Sequence, residues 1–156
     1  MRKRTYFKKR EREPDVKYNR RDVGAFINYV MRDGKKSVAE KIVYDAFDIV
    51  GKKEKESALK IFERAIENAS PRLEVVSRRI GGANYQIPRE VRDERKYFLA
   101  ANWIIDAARK KGGSGFAPRL AEELIAAAKG EGEAVKRKQN MHKMAEANRA
   151  FASFLR

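Results

Sequence analysis

From residue 22 to the C-terminus, apolar side chains recur every three or four positions, and that period breaks only once. A period of 3.6 asks for helices with one buried face, and a period of two asks for a strand. The chain therefore has to be helical around one short β insertion. Asp22 is placed to cap a first helix that carries Val23, Phe26, Ile27, Val30 and Met31 on one face, with Gly34 ending it. A second helix, over about residues 37–50, turns Ala39, Ile42, Val43, Ala46, Phe47 and Val50 inward. A third starts near Ser57, buries Leu59, Phe62, Ala65 and Ile66, and stops before Pro71.

The period then changes. Leu73 to Ile80 alternates and is rich in β-branched residues, Gly81-Gly82 supplies a two-residue turn, and Tyr85 to Pro88 returns. This predicts a β-hairpin at about residues 72–88. A fourth helix follows over about residues 93–110, with Leu99, Trp103 and Asp106 on adjoining turns and Phe98, Ala101, Ile105 and Ala108 on its apolar side. Gly112-Gly113-Ser114-Gly115 reads as a flexible break, and Pro118 suits the start of a fifth helix carrying Leu120, Leu124 and Ile125. Gly130 and Gly132 set off a last helix through Met141, Met144, Ala145, Asn148 and Phe151, with both methionines expected in the core. The expected fold is mainly α: six helices and one protruding β-hairpin between the third and fourth.

Charge narrows the partners. Among 156 residues, 37 Lys and Arg stand against 22 Asp and Glu, a formal net charge of +15. Such an excess opposes a compact fold unless a polyanion supplies the counter-charge. Nucleic acid and an anionic membrane are the candidates. No stretch is apolar for long enough to span a bilayer, and no apolar run follows the basic N-terminus as a secretory signal would require. Membrane is the weaker reading. Residues 1–21 hold ten basic residues against Glu11, Glu13 and Asp15, with sparse aperiodic apolar positions and Pro14. They read as a basic extended N-terminal arm, disordered unless bound, ahead of a helical domain at residues 22–156.

Catalysis finds little to stand on. The chain has no cysteine, so it has neither a disulfide framework nor a thiolate metal site, and a reducing cytoplasm is the natural compartment. His142 is its one histidine and has no serine or cysteine nucleophile motif beside it. The neighbouring carboxylates Glu122 and Glu123, or Glu131 and Glu133, show no local sign of tuned pKa values. We expect no catalytic residue, no metal site and no cofactor. Gly34-Lys35-Lys36-Ser37 looks like the end of a phosphate-binding loop, but the required glycine is replaced by Tyr29 and the hydroxyl by Lys36. What remains is either an ordinary polar turn or two ammonium groups offered to phosphates. The GxxG spacing of residues 112–115 reads better as a linker than as an RNA clamp.

The basic zones are more informative. Arg72, Arg78, Arg79 and Arg89 lie on or beside the hairpin with Tyr85 among them, a set suited to gripping phosphates and stacking on bases. The last helix carries Lys136, Arg137, Lys138, Lys143 and Arg149 beside its apolar stripe. Three basic zones on one domain favour an extended nucleic-acid surface. The RNA-binding candidates are Arg2, Lys3, Arg4, Lys8, Lys9 and Arg10 in the arm, Lys35 and Lys36 in the first loop, and Arg72, Arg78 and Arg79 in the hairpin. Arg95, Lys136, Lys138 and Arg149 complete the set on the helices that follow.

Four segments resemble small-subunit ribosomal protein seven of the bacterial type. They are Ala25-Phe26-Ile27-Asn28 through Met31-Arg32-Asp33-Gly34-Lys35-Lys36, then Ser77-Arg78-Arg79-Ile80-Gly81-Gly82-Ala83-Asn84-Tyr85-Gln86-Ile87-Pro88, then Arg119-Leu120-Ala121-Glu122-Glu123-Leu124, and finally Met144-Ala145-Glu146-Ala147-Asn148-Arg149-Ala150-Phe151. They stand in family order. The family often has a histidine shortly after the last segment and an aromatic end, where this chain has Ser153-Phe154-Leu155-Arg156. The resemblance implies a structural protein that binds the 3′ major domain of small-subunit rRNA and starts assembly of the subunit head. It implies RNA contact at Lys35, Lys36, Arg78 and Arg79. It also implies a hairpin tip, Gly81, Gly82, Ala83, Asn84 and Tyr85, near the exit-site tRNA and the mRNA path, with ribosomal proteins nine and eleven as neighbours. The rivals are a free-standing nucleic-acid chaperone and an enzyme whose site is assembled from distant residues.

Overall fold

The structure, a computed structural model, describes residues 13–113 and 115–155. Its elements are α1 (Arg21–Val30), α2 (Lys36–Lys53), α3 (Ala58–Ala69), β1 (Leu73–Ile80), β2 (Ala83–Glu90), α4 (Asp93–Lys110), α5 (Phe116–Ala128) and α6 (Gly132–Ala147). A 3-10 helix over Arg149–Leu155 ends the chain. The mainly helical fold with a hairpin between α3 and α4 is the one the period predicts.

α5 is the hub, packing against α2, α3, α4 and α6. Its buried side is built from Leu120, Ala121, Leu124, Ala127 and Ala128, where small residues let neighbouring helices approach closely. α4 begins with Asp93 and Glu94 and ends with Arg109 and Lys110, charges that complement its dipole at both ends. Burial extends most of the way round it, from Ala101, Ile105 and Ala108 to Leu99, Trp103 and Ile104. Phe26, Phe47 and Phe62 join α1, α2 and α3, with ring centroids 5.1 Å apart for Phe26 and Phe62 and 5.3 Å for Phe47 and Phe62.

Several local expectations are corrected. Asp22 lies inside α1, where it accepts from the Val23 N–H, and no side chain caps the helix. α1 stops at Val30, and Gly34 (φ 72°) instead closes the turn that follows, beside Asp33 at φ 53°. α5 starts at Phe116, two residues before Pro118. α6 ends at Ala147, so Phe151 belongs to the 3-10 helix. Met144 is 50% exposed because it lies off the narrow buried side of α6, formed by Ala134, Val135 and Ala145. Met141 does pack against the core.

The disordered-arm reading fails for the described residues next to α1. Asp15 is buried and accepts from the backbone N–H groups of Lys17 and Tyr18 and from the Tyr44 hydroxyl, the last at 2.6 Å. Burial, and then the bond to Asp15, push the Tyr44 hydroxyl up to about 12. Tyr18 packs on Phe47, with ring centroids 5.5 Å apart. The segment crosses α1 at Gly24, where a Cβ would meet the Glu13 carbonyl oxygen at 3.1 Å. Residues 1–12 lie outside the described residues.

Candidate nucleic-acid interface

The hairpin pairs Leu73 with Glu90 through to Ile80 with Ala83, leaving Gly81 and Gly82 as a two-residue turn. Both glycines have positive φ, 57° and 90°, which a turn matched to strand twist requires. Directly paired residues share a face. Arg78 is opposite Tyr85, and Arg79 is opposite Asn84. The Tyr85 ring meets Phe151 edge to face at 5.3 Å, so the face holding Arg78 and Tyr85 turns toward the terminal 3-10 helix. Ser77, Arg79, Asn84 and Gln86 share the other face and are all exposed. Toward the tip that face mixes one cation with three hydrogen-bonding side chains, and at its root it carries the exposed Glu90.

The root of the hairpin is fixed by charge. Glu74 is buried, accepts from Arg89 at 2.7 Å, and takes a second guanidinium from Arg95 at 3.3 Å. Burial alone would raise its pKa, but the two arginines outweigh burial and hold the carboxyl below the usual range. Arg95 also lies 5.1 Å from the centre of the Phe98 ring. On the adjoining side, α6 brings His142 and Lys138 up to Arg72. His142 Nε2 accepts the Arg72 backbone N–H at 3.0 Å, and Lys138 donates to the Asn68 carbonyl at 2.8 Å. Burial, then Arg72, lowers the pKa of Lys138. Lys138 thus ties α6 to α3, while the Arg72 side chain stays exposed.

A second group of cations surrounds the α1–α2 turn. Lys35 and Lys36 are exposed, and the turn is closed by the Lys35 N–H donating to the Arg32 carbonyl at 2.9 Å. Behind it lies a cavity of about 480 Å³ lined by Arg32, Lys35, Arg109 and Arg119, with Asp33 as the one carboxylate among the described residues and Val30, Val38, Ala39, Ile42 and Phe116 as its apolar wall.

Not every candidate stands equally open. Arg72, Arg78, Arg79, Arg95, Lys35 and Lys36 are exposed, Lys138 is half-buried, and Lys136 and Arg149 are exposed beside Glu133 and Glu146, at 3.0 and 3.4 Å. The tip residues Gly81, Gly82, Ala83 and Asn84 are exposed, whereas Tyr85 is half-buried. Arg2, Lys3, Arg4, Lys8, Lys9 and Arg10 lie outside the described residues. Ser77, Gln86, Arg32, Arg109 and Arg119 were not singled out from sequence. Strand alternation could have paired Ser77 and Gln86 with Arg79; the convergence of Arg32 from the α1–α2 turn with Arg109 of α4 and Arg119 of α5 had no sequence signal.

Among the described residues, no helix is long and apolar enough to cross a membrane, and no group of three or more His, Asp or Glu is placed to hold a metal ion. A helical body that presents an arginine-bearing hairpin and a dibasic turn, at a net charge of +15, defines a protein built to meet a polyanion. Residues 1–149 match the family model described as ribosomal protein S7p/S5e, and the chain belongs to that family. It is similar to the small ribosomal subunit protein uS7 of Marinobacter nauticus, 51% identical over 146 residues and 94% of each chain. The same protein of Polynucleobacter asymbioticus is 52% identical over 146 residues, again 94% of each chain. That of Francisella tularensis subsp. holarctica is 51% identical over 155 residues, 99% of each. The chain is a structural ribosomal protein of that family, and each of these relatives is named as a protein of the small ribosomal subunit.

Proposed function

We propose that this chain is a primary binder of the 3′ major domain of small-subunit rRNA, that it starts assembly of the subunit head, and that it does so without catalysis. The observation that carries the reading is the open face of the hairpin, where Arg79 stands exposed with Ser77, Asn84 and Gln86. A guanidinium among neutral donors and acceptors suits folded RNA, which offers phosphates, 2′-hydroxyls and base edges together. The exposed Lys35 and Lys36 add point charges from a second element, and the arm cations Arg2, Lys3, Arg4, Lys8, Lys9 and Arg10 add more from a third. The exposed glycine tip and Asn84 are then offered to the exit-site tRNA and the mRNA path. Ribosomal proteins nine and eleven are the neighbours the family resemblance implies. Hydroxyl-radical footprinting of the purified chain on naked small-subunit rRNA tests the assignment. Protection confined to the 3′ major domain is expected, and protection that requires other proteins would refute primary binding.

A further inference from the structure

The cavity behind the α1–α2 turn takes Lys35, but not Lys36, into its lining. Its lining has two chemistries. Arg32, Lys35, Arg109 and Arg119 make one side with Asp33 beside them, and no carboxylate ion-pairs with any of the four among the described residues. Val38, 54% exposed, and half-buried Phe116 contribute to the other. Two of the arginines are held by the fold. Arg109 donates to the Val30 carbonyl at 3.2 Å. Arg119 donates to the carbonyls of Lys111, at 2.6 Å, and Gly115, at 2.8 Å, and its guanidinium lies 5.8 Å from the centre of the Phe116 ring. Burial and the nearby Arg32 both press the Arg109 pKa downward.

An anion relieves that crowding of positive charge, but a bare phosphate would leave the apolar wall unfilled. A nucleotide answers both sides at once. Its phosphate meets the arginines, and its base offers a flat face to Phe116 and the Val38 methyls. About 480 Å³ also falls within the range of sites that hold small ligands. We propose that this cavity receives one unstacked nucleotide of the bound RNA, with the base against Val38 and Phe116 and the phosphate held by Arg32, Lys35 and Arg109. The proposal rests on the rRNA-binding reading and gives it a point of insertion. An acidic, leucine-rich protein segment is the rival occupant, and the +15 net charge favours the polyanion.

The test uses the full chain and a transcript of the 3′ major domain. Val38→Glu places a carboxylate at the cavity mouth in the first turn of α2, where it suits the helix dipole and spares the fold. Val16→Glu, at a position 92% exposed, makes the same charge change elsewhere and serves as control. Loss of one stacked base predicts affinity roughly ten- to a hundredfold weaker for Val38→Glu than for the control. One nucleotide protected from base-specific modification in the wild-type complex should become reactive in the variant. In the free chain, adenosine monophosphate should shift the Val38 and Phe116 amide resonances at concentrations where inorganic phosphate does not. Equal transcript binding and equal protection by the two variants would overturn the insertion and leave rRNA binding standing. Failure of the wild-type chain to bind the transcript would instead remove the rRNA-binding reading and the insertion with it. Equal shifts from inorganic phosphate would reduce the cavity to an anion site. An acidic leucine-rich peptide that displaces the nucleotide would make it a protein-docking surface.

Discussion

His142 shows how much one side chain can hold at the junction of two elements. Its neutral Nε2 accepts the Arg72 N–H at 3.0 Å, and burial, then Lys138 and Arg72, push the imidazole below its ordinary 6.5. The protonated ring cannot accept that bond. Unfolded chain takes up the proton near 6.5 and folded chain only at lower pH, so protonation favours unfolding. The stabilisation is therefore complete above about 6.5 and is lost as pH falls through the lower folded value. Denaturant midpoints taken between about pH 7 and pH 5 should fall more for the wild type than for His142→Gln. Parallel falls would contradict the assignment. Trp103, 9% exposed on α4, belongs to the core, and Trp103→Ala should cost about 3–5 kcal/mol in equilibrium denaturation. An unchanged midpoint would mean that the ring contributes nothing to packing. Trp103 was legible in the sequence because the apolar period marks α4 as buried. Asp15 was not, because a lone carboxylate in a basic, aperiodic stretch gives no sign of a tyrosine 29 positions away.

Between elements, the hairpin separates anchoring from presentation. Its boundaries were legible because alternation and the Gly81-Gly82 turn are local signals. Which face the C-terminal segment packs against was not, since that is decided by Phe151, 66 positions beyond Tyr85 and expected on α6. Arg78 and Arg79 point to opposite faces. Both are exposed, but Arg78 shares its face with Tyr85, which meets Phe151 of the 3-10 helix, whereas Arg79 shares its face with the exposed Ser77, Asn84 and Gln86. Arg79→Ala should weaken binding to isolated rRNA by about 1.5–3 kcal/mol, the contribution of a charge-assisted hydrogen bond. Arg78→Ala should cost less in a filter-binding titration. Deleting residues 81–84 should leave rRNA binding largely intact and raise frameshifting in assembled ribosomes. A tip deletion that abolished rRNA binding while Arg79→Ala did nothing would reverse this division.

For the whole molecule, the central claim is that separate cationic zones act together on one polyanion. Residues 1–12 carry seven cations against Glu11, which is +6 of the +15 total. The ordered body extends back to Asp15, which holds Tyr44, so a truncation that tests the arm must stop short of residue 13. The overall fold was legible because six helical stripes and one alternating segment leave few ways to bury their apolar faces. The cavity was not, since it forms where the ends of four helices meet. Affinity of the full chain for a 3′ major domain transcript, titrated against salt, is the most direct measurement. With roughly 6–10 phosphates neutralised, affinity should fall about 10³–10⁵-fold between 50 and 200 mM salt. Removal of residues 1–12 should flatten that slope without changing the melting curve. An affinity nearly independent of salt, or a slope unmoved by the truncation, would contradict the account.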